Sequence, residues 1–169
     1  MDPLAFRQAL GQFAAGVAVI TANADTQAIG MTVSSFNSVS LEPPLILFSI
    51  DRKARSLNGL LSARGFAVNI LSRAQESLST RFAQSRTDKW NAVRYTLGHS
   101  ETPLLCGALA HFECTPYANY DGGDHVIVVG RVIRFALNAA GEPLVFFRSR
   151  YHSLAAAGAQ PVWPLPMHY

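Results

Sequence analysis

Along the chain, short apolar runs rich in β-branched residues alternate with turn-forming clusters, and helical spacing is confined to a few stretches. Asp2-Pro3 has the form of a helix start, a capping carboxylate followed by proline at the first helical position. Leu4, Phe6, Ala9, Leu10, Phe13 and Ala14 then recur at helical spacing, and Gly16 is expected to end that helix. Residues 17–21 form a β-branched run, Asn23-Ala24-Asp25 a turn, and residues 29–36 a second strand, which together predict a hairpin. Glu42-Pro43-Pro44 cannot sit inside a strand and marks a break before the continuous apolar run 45–50, which suits a buried strand.

Residues 51–55 make a charged turn, and Ser56 is placed to cap a helix over 57–63. Gly65 leads to a strand over 66–71, followed by a polar helix over about 74–83 and a loop over 85–98 that covers something. In the second half, residues 108–120 alternate loosely, Asp121-Gly122-Gly123-Asp124 signals a turn, and 125–135 is a valine-rich strand, giving a second hairpin. Residues 138–142 turn again before a strand over 144–147, and the tail over 161–169 is proline-rich and aromatic. About seven strands with two or three helices predict a mainly β protein, an antiparallel closed or nearly closed barrel with peripheral helices. The whole chain, 1–169, reads as a single domain with an irregular tail over 155–169.

Composition sharpens this picture. Apolar residues make up 49% and charged residues 15%, so the chain must bury apolar surface in a core, around a ligand or against another subunit. Lys+Arg number 14 against 11 Asp+Glu, a net charge of +3, and Lys53 and Lys89 are the only lysines. No basic stripe marks a nucleic-acid surface, whereas a few cations gathered around an anionic ligand suit these numbers. Cys106 and Cys114 offer neither a disulfide framework nor a metal pattern, and the five histidines show no metal-ligand spacing. No apolar stretch reaches the roughly 20 residues of a membrane span, and Met1-Asp2-Pro3 lacks the basic start of a signal peptide, so a cytoplasmic location is expected. No two glycines stand two residues apart, which excludes the G-x-G-x-x-G fingerprint; the P-loop, H-E-x-x-H and G-x-S-x-G motifs are also absent.

Four segments carry candidate chemistry. Small hydroxyl residues crowd Gly30-Met31-Thr32-Val33-Ser34-Ser35-Phe36-Asn37-Ser38, where they either let main-chain groups approach a flat heteroaromatic ring or simply satisfy a polar edge strand. Ser49-Ile50-Asp51-Arg52-Lys53-Ala54-Arg55-Ser56 joins a strand to a helix start with three cations, a setting for an anion or a solvated charged turn. His125 follows a glycine turn, where its imidazole either faces a pocket or is an ordinary hydrogen-bonded residue. Tyr151-His152 presents the same alternatives near the end of the chain.

Taken together, these segments resemble the flavin reductase family of two-component flavin-dependent monooxygenases, which share an FMN-binding split barrel. The resemblance is carried by residues 6–21 and 30–50, by Lys53 to Leu57 and Gly65 to Ile70, and by Arg81-Phe82-Ala83, Gly123-Asp124-His125 and Tyr151-His152. It implies that Thr32, Val33, Ser34 and Ser35 hold the isoalloxazine edge, with Ser49 and Ile50 beside the ring and ribityl chain. It further implies that Lys53 and Ser56 take the flavin phosphate and that Phe82 and Ala83 close over the site. His125 would be the catalytic residue on the nicotinamide side, and Tyr151 would help order the donor. FMN or FAD would be reduced by NADH or NADPH, in a homodimer, and the reduced flavin passed to a separate oxygenase component. Both reactive centres would then belong to cofactors, which fits a chain without an evident nucleophile and base.

Overall fold

The computed structural model describes residues 1–24, 27–85, 88–138 and 141–154. In chain order the first elements are helix α1 (Pro3–Leu10), then strands β1 (Ala15–Gly16), β2 (Ala18–Ala24), β3 (Gln27–Val33), β4 (Asn37–Leu41) and β5 (Pro44–Asp51). Helix α2 (Leu57–Ser62), strand β6 (Phe66–Ile70) and helix α3 (Glu76–Ala83) follow. Strands β7 (Tyr95–Leu97), β8 (Pro103–Leu105), β9 (Ala110–Gly122), β10 (His125–Leu137), β11 (Val145–Phe147) and β12 (Arg150–His152) complete the described chain.

Seven strands form one antiparallel sheet in the order β3-β2-β6-β9-β10-β5-β4. Its two edge strands, β3 and β4, are consecutive in sequence and joined by residues 34–36, so the sheet curls back towards itself without a ladder between them. The result is an open, split barrel of the expected class. Both expected hairpins are present, as β2–β3 and β9–β10. Gly123 has φ 73° at the first central position of the two-residue β9–β10 turn, the conformation that favours glycine there.

Strand β2 is buried from Ala18 to Ala22 because both its faces are covered. Ala18, Ile20 and Ala22 face an inner core with Ile46, Phe48, Ile50, Phe66, Val68 and Val128. Val19 joins an outer core with Val17, Leu71, Phe82, Leu105 and Leu144. Inside the barrel the Phe48 and Phe66 rings meet edge to face at 5.4 Å, and a Cβ on Gly130 would lie 2.3 Å from the Phe66 ring. Glycine at 130 is what lets that ring lie against β10. Phe36, from the β3–β4 connection, stacks on Phe112 of β9 at 5.8 Å.

The outer core is roofed by β8, which a buried amide holds in place. Asn69 Nδ2 donates to Val19 O and Thr21 Oγ1 at 3.0 Å each, and Leu105 N–H donates to Asn69 Oδ1 at 2.8 Å. Thr21 Oγ1 donates in turn to Pro103 O at 2.6 Å. Every polar atom of this network has a partner, as burial demands.

Several boundaries differ from the sequence reading. Helix α1 starts as expected, Asp2 Oδ1 accepting from Leu4 N–H at 2.9 Å, but it ends at Leu10 with Gly11 as its cap, and Gly16 belongs to β1. Apolar spacing continued through Phe13 and Ala14 because those residues lead into the strand. Ser56 occupies the N-cap position of α2 in a helical conformation and makes no side-chain capping bond. Strands β4, β7, β8 and β12 were not expected; all are short and three of them have three residues. The loop expected over 85–98 does cover something: Lys89 Nζ donates to Gly30 O at 3.4 Å and Phe82 O at 3.2 Å, and Trp90 lies against Phe82. Burial lowers the Lys89 pKa. Cys106 and Cys114 are free, and burial, with the Glu113 carboxylate beside it, pushes the Cys114 thiol up to about 12. Asp25, residues 139–140 and the tail from 155 onwards lie outside the described residues.

Replacing Asn69 by alanine strands the buried Leu105 N–H and is expected to cost about 1–3 kcal/mol. Urea denaturation measures it, and an unchanged midpoint would show that β8 is held by apolar packing alone.

Candidate functional site

The site is built where β5 outruns its neighbour. Asn37 pairs with Leu47 and Ser38 with Ile46, so the same register would set residue 35 opposite residue 49, beyond the end of β4. Ser35 supplies a side chain there in place of a strand. Ser49 N–H donates to Ser35 Oγ at 2.9 Å, and Ser35 Oγ–H donates back to Ser49 O at 3.2 Å. One hydroxyl thus satisfies both peptide groups that a further strand residue would have bonded.

On its other side β5 stays paired with β10 to its last residue, with Ile127 opposite Ser49 and His125 opposite Asp51. Ile50 and Val126 point into the barrel core, so alternation turns Ser49, Asp51 and His125 to the outer face. Two residues along a strand span about 7 Å, which places His125 within a small ligand's length of the Ser35–Ser49 clasp.

His125 is half-exposed, and its Nδ1 lies 2.8 Å from Asp124 Oδ1. The Asp124 pKa is lowered, first by the hydrogen bond from His125, then by that residue's charge, and further by Lys53. An ionised carboxylate only accepts, so Nδ1 donates in this pair, which leaves Nε2 out of it. Arg52 holds this turn from the side. Its guanidinium pairs with Asp121, its Nε donates to Gly123 O at 2.8 Å, and its N–H donates to Asp124 O at 3.0 Å. Lys53 follows in the turn stabilised by its N–H bond to Asp51 Oδ1 at 2.7 Å, and Ser56 stands at the start of α2.

A second group of expected residues gathers around α3. Thr32 Oγ1 donates to Ser79 O at 2.7 Å, and Ser79 Oγ lies 2.8 Å from Tyr151 Oη. The Tyr151 ring meets Phe146 edge to face at 5.5 Å. Phe82 is 1% exposed, covered by Trp90 at 4.9 Å and laid against Gly30, whereas Ala83 is exposed. Val33 and Ile50 bury their side chains in the barrel, which leaves only main-chain groups to offer. Ser34 is exposed at the end of β3. Thus Ser35, Ser49, Lys53 and His125 converge, Thr32 and Tyr151 are linked through Ser79, and residues 33–34 run between the two groups. Sequence reasoning missed Ser79, Trp90 and the Arg52–Asp121 pair. The only signal for that pair was a cluster of cations and a turn some seventy residues apart.

An open antiparallel barrel with a cationic strand end, a small-residue seam and a histidine fixed by Asp124 offers a flat anionic ligand both a main-chain edge and charge. Known proteins agree. The model of the flavin reductase like domain matches residues 10–155. A probable flavin reductase of Rhizobium meliloti is 40% identical over 93% of the chain and 50% of its own length. The reductase subunit HsaB of a flavin-dependent monooxygenase from Rhodococcus jostii is 38% identical over 89% of the chain and 77% of its own. Among solved structures, the Streptomyces globisporus NADH:FAD oxidoreductase SgcE6, in complex with NAD and FAD fragments, has a TM-score of 0.89 at 36% identity. That match covers 94% of this chain and 96% of the other. The chain belongs to the flavin reductase family. It is an NAD(P)H-dependent flavin reductase, and it spans half the length of the Rhizobium meliloti relative.

Removing the Arg52 side chain is expected to free the turn while leaving the rest of the sheet intact. In Arg52→Ala, amides at Asp124 and His125 should exchange about fivefold faster, the equivalent of about one net hydrogen bond. Equal exchange in the two proteins would show that the β-ladder alone positions His125.

Proposed function

We propose that the chain acts as a single reductase domain that takes a hydride from NADH or NADPH on to FMN or FAD and releases the reduced flavin to a separate oxygenase component. The observation that carries this reading is the outer face shared by the Ser35–Ser49 clasp and the Asp124-oriented His125. When bound, the flavin ring supplies the hydride-accepting chemistry.

The chain's own groups bind and orient. Ser34, Ser35 and the main chain at Thr32 and Val33 lie along the ring's polar edge, and Ser49 with the Ile50 main chain lies beside the ribityl chain. Lys53 and the uncommitted hydroxyl of Ser56 take the phosphate, the cation by charge and the hydroxyl by donation. Phe82 supports the site from below through Gly30, and Ala83 borders it. His125 uses Nε2 on the nicotinamide carboxamide, and Tyr151 steadies Thr32 through Ser79. Excluding water and setting two rings at reacting distance is the whole task, so no nucleophile is needed.

A homodimer in the cytoplasm completes the reading. Leu4, Phe6, Leu10 and Phe13 near the N-terminus and Ile133, Phe135 and Leu137 on β10 are exposed, apolar side chains that a second subunit would cover. No described helix is long and apolar enough to cross a membrane. Sedimentation at micromolar concentration is expected to give twice the chain mass, and a monomer there overturns the dimer.

The direct test mixes the protein with NADH or NADPH, with and without added FMN or FAD, and follows the nicotinamide absorbance. Oxidation that depends on added flavin is expected. His125→Ala should raise the KM for the nicotinamide about tenfold and that for flavin much less, as for a lost hydrogen bond to substrate. An unaltered nicotinamide KM removes His125 from the site.

A further inference from the structure

The segment over 88–95 supplies none of the groups assigned to the site, yet it closes the free edge of β3. Strand β3 ends the seven-stranded sheet and pairs only with β2, so alternate residues turn their peptide groups away from the ladder. Gly30 is one of these, because its carbonyl accepts from Lys89 Nζ at 3.4 Å. The same ammonium donates to Phe82 O at 3.2 Å, in the last turn of α3, where carbonyls lack partners within the helix and a cation is favoured. Lys89 is half-buried and one of only two lysines in the chain.

The rest of the segment holds that ammonium in place. The Trp90 ring meets Phe82 edge to face at 4.9 Å and Tyr95 at 5.4 Å, and it would come within 3.1 Å of a Cβ on Gly30. Arg81 Nη1 donates to Asn91 O at 2.6 Å, Val93 N–H to Trp90 O at 3.1 Å, and Cys106 N–H to Arg94 O at 3.0 Å. Two residues further along β3, Thr32 Oγ1 donates to Ser79 O on the same helix. Polar bonds to α3 and its strap thus pin β3 at residues 30 and 32, immediately before residues 33–35 leave the sheet to form the seam. An edge strand has a ladder on one side only, so such bonds fix the height of its free side.

We propose that Lys89 is a positioning residue for the flavin, which acts through the strand: by tying the Gly30 carbonyl to the end of α3, it sets the main chain of residues 32–35 where the ring's polar edge can bond to it. This rests on the reductase reading for the identity of the ligand at the seam. FMN and FAD share that ring, so both depend on Lys89 alike. His125 stands on β10, away from the β3 edge, so the nicotinamide does not.

The test measures flavin dissociation constants of the intact protein by flavin fluorescence, without nicotinamide, and then the nicotinamide KM at saturating flavin. Lys89→Met keeps the apolar stem and removes the donors. It is expected to weaken FMN and FAD about tenfold each, as for a lost charged hydrogen bond, and to leave the nicotinamide KM within about twofold. Lys89→Arg, which keeps charge and donors, should recover most of the affinity. If the methionine variant does not fold, Lys89→Gln keeps one amide donor and should lose about threefold in both flavins. Combined with Thr32→Val, Lys89→Met should cost less than the two single losses together, because both residues hold one strand. The assignment is overturned if flavin affinity matches the parent in the Met and Gln variants, or if the nicotinamide KM rises by the same factor as the flavin constant. A parent that binds flavin but oxidises neither NADH nor NADPH defeats the reductase reading instead. In that case the tie is still read from hydrogen exchange at Met31 and Val33, faster in Lys89→Met if it holds the strand and equal to the parent if it does not.

Discussion

Strand β5 runs past the end of its neighbour β4, and the two peptide groups of Ser49 exposed there must find partners. A closed barrel would supply another strand. Here a single hydroxyl, Ser35 Oγ, meets both groups, and the sheet stays split. The open seam leaves main-chain groups and small side chains at the surface, where a flat ring can approach closely. The rest of the molecule maintains this gap. Phe36 anchors the crossing segment on Phe112, and the inner core fixes β5 against β10 down to Asp51.

Charge is placed with equal economy. Lys53, Arg52 and Arg55 sit at the end of β5, where the strand turns into α2. Arg52 is occupied by the β9–β10 turn, so its charge goes to structure and that of Lys53 remains beside the site. Asp124, held ionised by its hydrogen bond from His125, fixes the imidazole through Nδ1. Exposed ion pairs contribute little to stability singly. Here their effect is geometric, tying the β9–β10 turn to the turn that follows β5.

The outer layer explains how such a small barrel supports α3 and the C-terminal strands. Helix α3 lies over β3 through Phe82 and Gly30, where any Cβ would collide with the ring. Ser79 on the same helix receives Thr32 and meets Tyr151, which connects β12 to the seam. The Asn69 network holds β8 over the same core. Thr32 and Ser79 thus tie α3 to both β3 and β12, and a substitution at either loosens this layer.

Local pattern alone determined the apolar runs of β2, β5, β6 and β10, the two hairpins and the hydroxyl-rich segment 32–35. These follow from side-chain alternation and turn chemistry, which act between near neighbours. The resemblance of those segments to flavin reductases then pointed to the cofactor. Short strands such as β4, β7 and β8 were not legible, because three to five residues carry too little period and are held by distant partners. The helix end was misread at Gly16 because apolar spacing does not distinguish a last turn from an approach to a strand. Only the tertiary structure decided which serines are free and which are spent. Ser35 and Thr32 look alike in sequence, yet one hydroxyl closes the seam and the other holds α3. Tertiary contact likewise brought Arg52 to Asp121 and Asn23 to Glu101. A sequence lists hydrogen-bonding groups, but which groups meet depends on the register of strands far apart in the chain.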